Sequence, residues 1–205
     1  MAGVAKYSLE IKPATCKELD MSVADYFLRA KHWQLFLFLF GTFCVMGTAM
    51  TITEGSRAIR VLSWAVVGMG ELSFLSWLWC LGSFLRCTVR PALRLNLGFF
   101  LFSLIYPPLY VFTIIAFFPN ELPLPFAVII PLHLLAMFCV LYGLYFVSKS
   151  LALAERGGSV SFYNYVGSLF LIWFFPIGVW IIQPRVNRLY ANQKNAEVLA
   201  VPHAG

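Results

Sequence analysis

The sequence predicts an all-α protein, a polytopic integral membrane helical bundle of about five transmembrane helices. Three observations lead there. Apolar residues make up 60% of the chain and charged residues 12%, against about 45–50% and 25% in soluble domains. The mean hydropathy is +0.80. The apolar residues gather in five runs, at about 33–53, 61–84, 97–118, 126–147 and 166–182. The first four are long enough to cross the roughly 30 Å hydrocarbon layer as helices rising about 1.5 Å per residue.

The remaining composition narrows the partners. Twenty Phe, nine Tyr and six Trp suit lipid-facing surface and the aromatic belts at membrane interfaces. The net charge of +6 comes from Lys and Arg lying between the apolar runs. There they would meet anionic headgroups and set orientation, so the expected partner is the lipid bilayer and not nucleic acid. None of the five cysteines forms a CxxC pair. They are expected to be reduced, small apolar residues, with no disulfide framework and no zinc site.

Residues 1–32 form a cytoplasmic N-terminal segment with a short amphipathic helix within 20–31. Ser22 and Asp25 have the spacing of a Ser-x-x-Asp start signal. Val23, Phe27 and Ala30 share a face that would lie on the membrane surface, unless the segment is a solvated leader. The membrane domain, 33–183, follows. Gly41, Cys44, Thr48 and Thr51 give the first span a small face suited to close helix approach. The second carries Glu71 near its middle, where a carboxylate costs a few kcal/mol unless it faces protein, water or a partner. Arg86, Arg90 and Arg94 come next at i, i+4 and i+8, as topology determinants and candidate headgroup contacts. The third span holds Pro107 and Pro108, and the fourth Pro131 and His133. The fifth run is short and contains Pro176 and Gly178. All four of these prolines are candidate kink residues. A polar tail occupies 184–205.

Basic residues argue for a cytoplasmic N-terminus in either of two topologies. Five spans leave ten Lys and Arg inside and five outside, with the tail outside. If the fifth run instead re-enters as a hairpin, the tail moves inside and the partition is thirteen against two. Five spans is the preferred expectation, because an exposed backbone break is costly in lipid.

Glu71 and His133 lie in spans that begin on the same side, at about 11–15 Å of helix rise below it. An acid and an imidazole at one level are a candidate intramembrane polar site, able to share a proton across a cavity. The plainer alternative is that each bonds a neighbouring backbone group and only fixes packing. One Glu and one His are too few for a dedicated metal site. No phosphate-binding loop or hydrolase motif is present, and no cofactor is expected.

The ending, Trp173-Phe-Phe-Pro176-Ile-Gly178-Val-Trp180 with Gln183-Pro184-Arg185-Val-Asn187, resembles that of a group of small bacterial inner-membrane proteins without an assigned activity. The resemblance covers about forty residues. It implies a multi-pass inner-membrane location and no reaction. The function expected first is a non-enzymatic subunit or scaffold of a membrane assembly, with other membrane subunits as partners. A small transporter or proton-conducting component using Glu71 and His133 comes second. A membrane enzyme acting on lipid, at the arginines, comes third.

Overall fold

The computed structural model describes residues 21–51, 57–117 and 126–200. Seven α-helices account for most of them: α1 (Met21–Arg29), α2 (His32–Thr51), α3 (Arg57–Thr88), α4 (Leu97–Phe117), α5 (Phe126–Arg156), α6 (Phe162–Trp173) and α7 (Phe175–Ala200). A 3-10 turn, Pro91–Leu93, links α3 to α4, and there is no strand among the described residues. The chain is therefore all-α. In α4 and α5 the windows Leu97–Ile114 and Phe126–Arg156, with mean hydropathies of 1.8 and 2.3, are long and apolar enough to cross a membrane.

The described parts of the first four apolar runs each fall within one helix, but two of these helices run past the apolar stretch. At about 1.5 Å per residue α3 is about 48 Å long, more than a bilayer core needs. In α5 the stretch after Lys149 adds buried Ser150, Leu151, Ala152 and Leu153. Gly157 then ends α5. Its φ of +65° is a left-handed conformation that glycine adopts without penalty, and its N–H donates to the Leu153 carbonyl.

The fifth run does not continue as a single helix, and this corrects the five-span expectation for that segment. It breaks at Phe174 (φ −91°, ψ 57°), and α7 packs back along α6. Two observations establish the reversal. A Cβ placed on Gly178 would overlap the backbone carbonyl of Leu171. The Arg185 guanidinium also donates to Ser168 Oγ over 2.9 Å, whereas seventeen residues of straight helix would separate the two by about 25 Å. With twelve residues, α6 rises only about 18 Å, too little to span. Pro176 consequently kinks nothing. It sits in the first turn of α7, where no intrahelical N–H is needed. The predicted polar tail is helical up to Ala200.

The helices are ordered around the bundle as α2, α3, α5, α6 and α7, with α4 outside against α5, and α1 across the end formed by α3 and α7. The core is concentrated at that end. Trp77, Leu81 and Leu85 of α3 meet Phe146, Val147 and Leu151 of α5 and Val179, Ile182 and Val186 of α7. Phe100 of α4 stacks on Phe146 with centroids 4.0 Å apart. Gly82 makes the room: a Cβ there would lie 2.5 Å from the Phe100 ring. Phe27, Leu28 and Ala30 of α1 join this core, so the amphipathic helix buries its apolar face on protein and not on lipid. Ser22 lies inside α1 and does not precede it as a cap.

Two further expectations change. On the small face of α2, Cys44 is exposed and a Cβ on Gly41 would meet nothing, while the side chains of Thr48 and Thr51 lie outside the described ones. The close approach is instead between Gly70 of α3 and Thr42 of α2. Cys44, Cys80 and Cys139 are free, but Cys87 is disulfide-bonded. Sequence spacing carries no signal for a pair brought together only by the fold.

Candidate functional site

The hairpin determines where the open space lies. Its tip, Trp173 to Phe175, reaches the level of Phe74 on α3, with the Phe74 and Phe175 rings 5.4 Å apart. Beyond the tip, no fifth element among the described residues continues the bundle. The result is a cavity of about 360 Å³ floored by Ile172, Trp173 and Phe175. Its walls come from Thr42 of α2, Gly70, Glu71, Phe74, Leu75 and Leu78 of α3, Ser103, Leu104, Pro107 and Pro108 of α4, and Cys139, Val140, Gly143 and Leu144 of α5. Cavities of this size and lining are typical of small-molecule sites.

Glu71 is, among the described residues, the one carboxyl group on this wall, in part exposed. Among the described residues it has neither a hydrogen-bond nor an ion-pair partner. The hydroxyls nearby are already engaged: Thr42 Oγ1 donates to the Leu39 carbonyl over 2.9 Å, and Ser103 Oγ to that of Phe100 over 2.7 Å. Pro107 and Pro108 lie inside α4 and lack the N–H groups that would otherwise meet the carbonyls of Ser103 and Leu104. The sequence placed Glu71 and the two prolines at a similar depth, and in the structure all three line this cavity.

His133 does not join them. It is exposed on α5, is not among the cavity-lining residues, and packs 5.8 Å from the Tyr110 ring of α4. Two residues at one depth need not share a face, and depth was the only coordinate available from helix rise. Pro131 is exposed one helical turn into α5. No group of three metal-ligating side chains occurs among the described residues.

The arginines after α3 have contacts that account for them locally. Arg94 donates from Nε to the Val89 carbonyl over 3.0 Å and from Nη2 to that of Cys87 over 3.4 Å. Arg86 Nε donates to the Leu95 carbonyl over 3.4 Å. Both thereby satisfy backbone acceptors around the helix end, where the macrodipole also favours a cation. Arg90, at the start of the 3-10 turn, is exposed.

Sequence reasoning missed a polar cluster at the opposite end of the hairpin. Gln183 is fully buried. Its Nε2 donates to the carbonyls of Phe27 (2.7 Å) and Ala30 (3.3 Å) and to Asn187 Oδ1 (3.0 Å). Its Oε1 accepts from Trp77 Nε1 over 3.4 Å. Asn187 Nδ2 donates to the Ala30 carbonyl over 3.2 Å, and the Tyr190 hydroxyl to Asp25 over 2.7 Å. Arg185 grips both carboxylate oxygens of Glu155. The available signal was a Gln-Pro-Arg-x-Asn run following an apolar stretch, polar residues at helical spacing with no evident solvent role. No family model, curated protein or solved structure matches the chain.

Proposed function

We propose that this chain is a multi-pass membrane protein in which α2, α3, α4 and α5 cross the bilayer and the α6–α7 hairpin re-enters it. In this reading it works as a non-enzymatic subunit or scaffold of a membrane assembly. The N-terminus and α7 lie on the cytoplasmic side, and the resemblance of the ending supports a bacterial inner membrane as the home. The supporting observation is the uneven filling of the bundle. The end holding α1 and α7 is tied by hydrogen bonds and a dense core. Toward the other end, Leu109 and Phe112 of α4 and Ile130, Leu134 and Phe138 of α5 are all at least 40% exposed. Such a half-filled, apolar region fits a partner's transmembrane helix, packed by van der Waals contact. Purification from native membranes in mild detergent tests this. A stoichiometric membrane partner crosslinking to photoreactive groups at Leu134 or Phe138 is expected, and a partner-free protein would refute it.

One observation favours a second reading, a small-molecule binding or conducting component. It is the cavity with its unpaired Glu71. Transport by this route would depend on Glu71 without His133.

A further inference from the structure

We propose that the Glu71 cavity binds a small amphiphilic amine, an ammonium group carrying an aryl or alkyl body. The inference deepens the second reading above and is independent of the first.

The described wall offers mostly hydrogen-bond acceptors. Its strongest polar group is the Glu71 carboxyl, without a partner among the described residues. The hydroxyl protons of Thr42 and Ser103 are spent on the carbonyls of Leu39 and Phe100, so towards a ligand these oxygens can only accept. The carbonyls of Ser103 and Leu104 are acceptors that Pro107 and Pro108 leave without helical donors. Apart from the half-exposed Trp173 indole and the weak Cys139 thiol, the polar groups are all acceptors. An anion would find one carboxylate and no cation. A neutral alcohol would satisfy one acceptor at most and leave the acid uncompensated. An ammonium supplies several N–H donors and the charge that a carboxylate at this depth lacks. The rings of Phe74, Trp173 and Phe175 line the same space and give a cation π-faces as well as apolar contact. The volume of about 360 Å³ lies within the roughly 300–1,000 Å³ of small-ligand pockets.

The test is direct binding by the purified chain in phosphatidylcholine nanodiscs at neutral pH. The probe is tritiated 4-phenylbutylamine. Its neutral and anionic counterparts, 4-phenylbutanol and 4-phenylbutyrate, serve as competitors. Saturable amine binding is expected, with neither counterpart displacing it at equal concentration. Glu71→Gln should weaken it by about tenfold or more, the worth of one charge-assisted hydrogen bond. Leu75→Trp, which leaves the acid and fills the cavity, should abolish it, with thermal unfolding confirming that each variant is folded. The proposal is overturned if amine binding is not saturable, if the alcohol competes equally, or if folded Glu71→Gln binds as well as the parent. The scaffold reading is judged on co-purifying partners, so either can fail without the other.

Discussion

Replacing Gln183 with Leu keeps the side-chain volume close and removes every polar contact at the most deeply buried amide in the chain. Gln183 is 0% exposed. Its loss orphans the Trp77 indole N–H and the Phe27 carbonyl, because each has Gln183 as its side-chain partner. The Ala30 carbonyl is spared, since Asn187 also donates to it. Two buried groups left unsatisfied cost about 1–3 kcal/mol each. Burying Leu in place of an amide returns part of this, so a net loss of about 2–4 kcal/mol is expected. The loss should be local as well as global, because the contacts tie the end of α1 to α7. Unfolding of the purified protein in detergent measures the total, and hydrogen exchange across 25–31 measures the release of α1. Gln183→Glu is the informative companion. It keeps an acceptor for Trp77 but points a carboxylate at two carbonyls and the Asn187 amide oxygen, so it should be at least as damaging. A Leu variant with parental unfolding and parental exchange in α1 would refute the reasoning.

The other expectations concern the hairpin and its anchors. Gly178→Ala drives a Cβ into the Leu171 backbone, and should cost about 3 kcal/mol or more, seen as a sharply lowered unfolding midpoint; parental stability would mean the two half-helices are not this close. Arg185 and Glu155 form a two-pronged ion pair about 30% exposed on each side. A double-mutant cycle with Arg185→Met and Glu155→Gln should give coupling of about 1 kcal/mol that shrinks with added salt; zero coupling would make the pair incidental. Cysteines introduced at exposed Tyr26 and Asn192 should both react with an impermeant thiol reagent from the same face of the membrane. Labelling from opposite faces would restore a spanning fifth helix.

Apolar run length located α2, α3, α4 and α5, because a helix long enough for a bilayer is written as an unbroken stretch of apolar residues. It could not fix the length of α3 or α5, since Arg57 and the Ser-Leu-Ala-Leu-Ala connector continue helices beyond the apolar part. It also missed the break at Phe174: Phe is an ordinary helical residue, and the strain-free turn there depends on Gly178 allowing α7 to approach Leu171. Glu71 and Pro107–Pro108 were legible as neighbours in depth, and they line one cavity. His133 was legible in depth alone, and its azimuth on α5 sends it towards Tyr110. The Gln183 cluster was visible as residues but not as contacts. Its partners lie 106 and 156 positions away in the chain, beyond any local pattern.

Polar partners, more than apolar length, decide between a continuous and a folded-back fifth segment. A straight helix from 162 onward would carry Gln183, Arg185, Asn187 and Tyr190 about 30 Å or more from its start. Trp77, Asp25, Glu155 and the last carbonyls of α1 would then lie at the other end of the bundle without them. Folding back at Phe174 satisfies all of these groups at once, at the cost of a helix break at which Phe174 N–H is still bonded to Phe170 and its carbonyl accepts from Ile177 and Gly178. The objection to a hairpin was an unsatisfied backbone in lipid, and at Phe174 itself these bonds answer it. The same choice leaves the space beyond the tip unfilled, which is why Glu71 faces a cavity instead of a packed helix. The cavity and the fold-back of the chain therefore follow from one set of side-chain hydrogen bonds, and breaking them at Gln183 should disturb both.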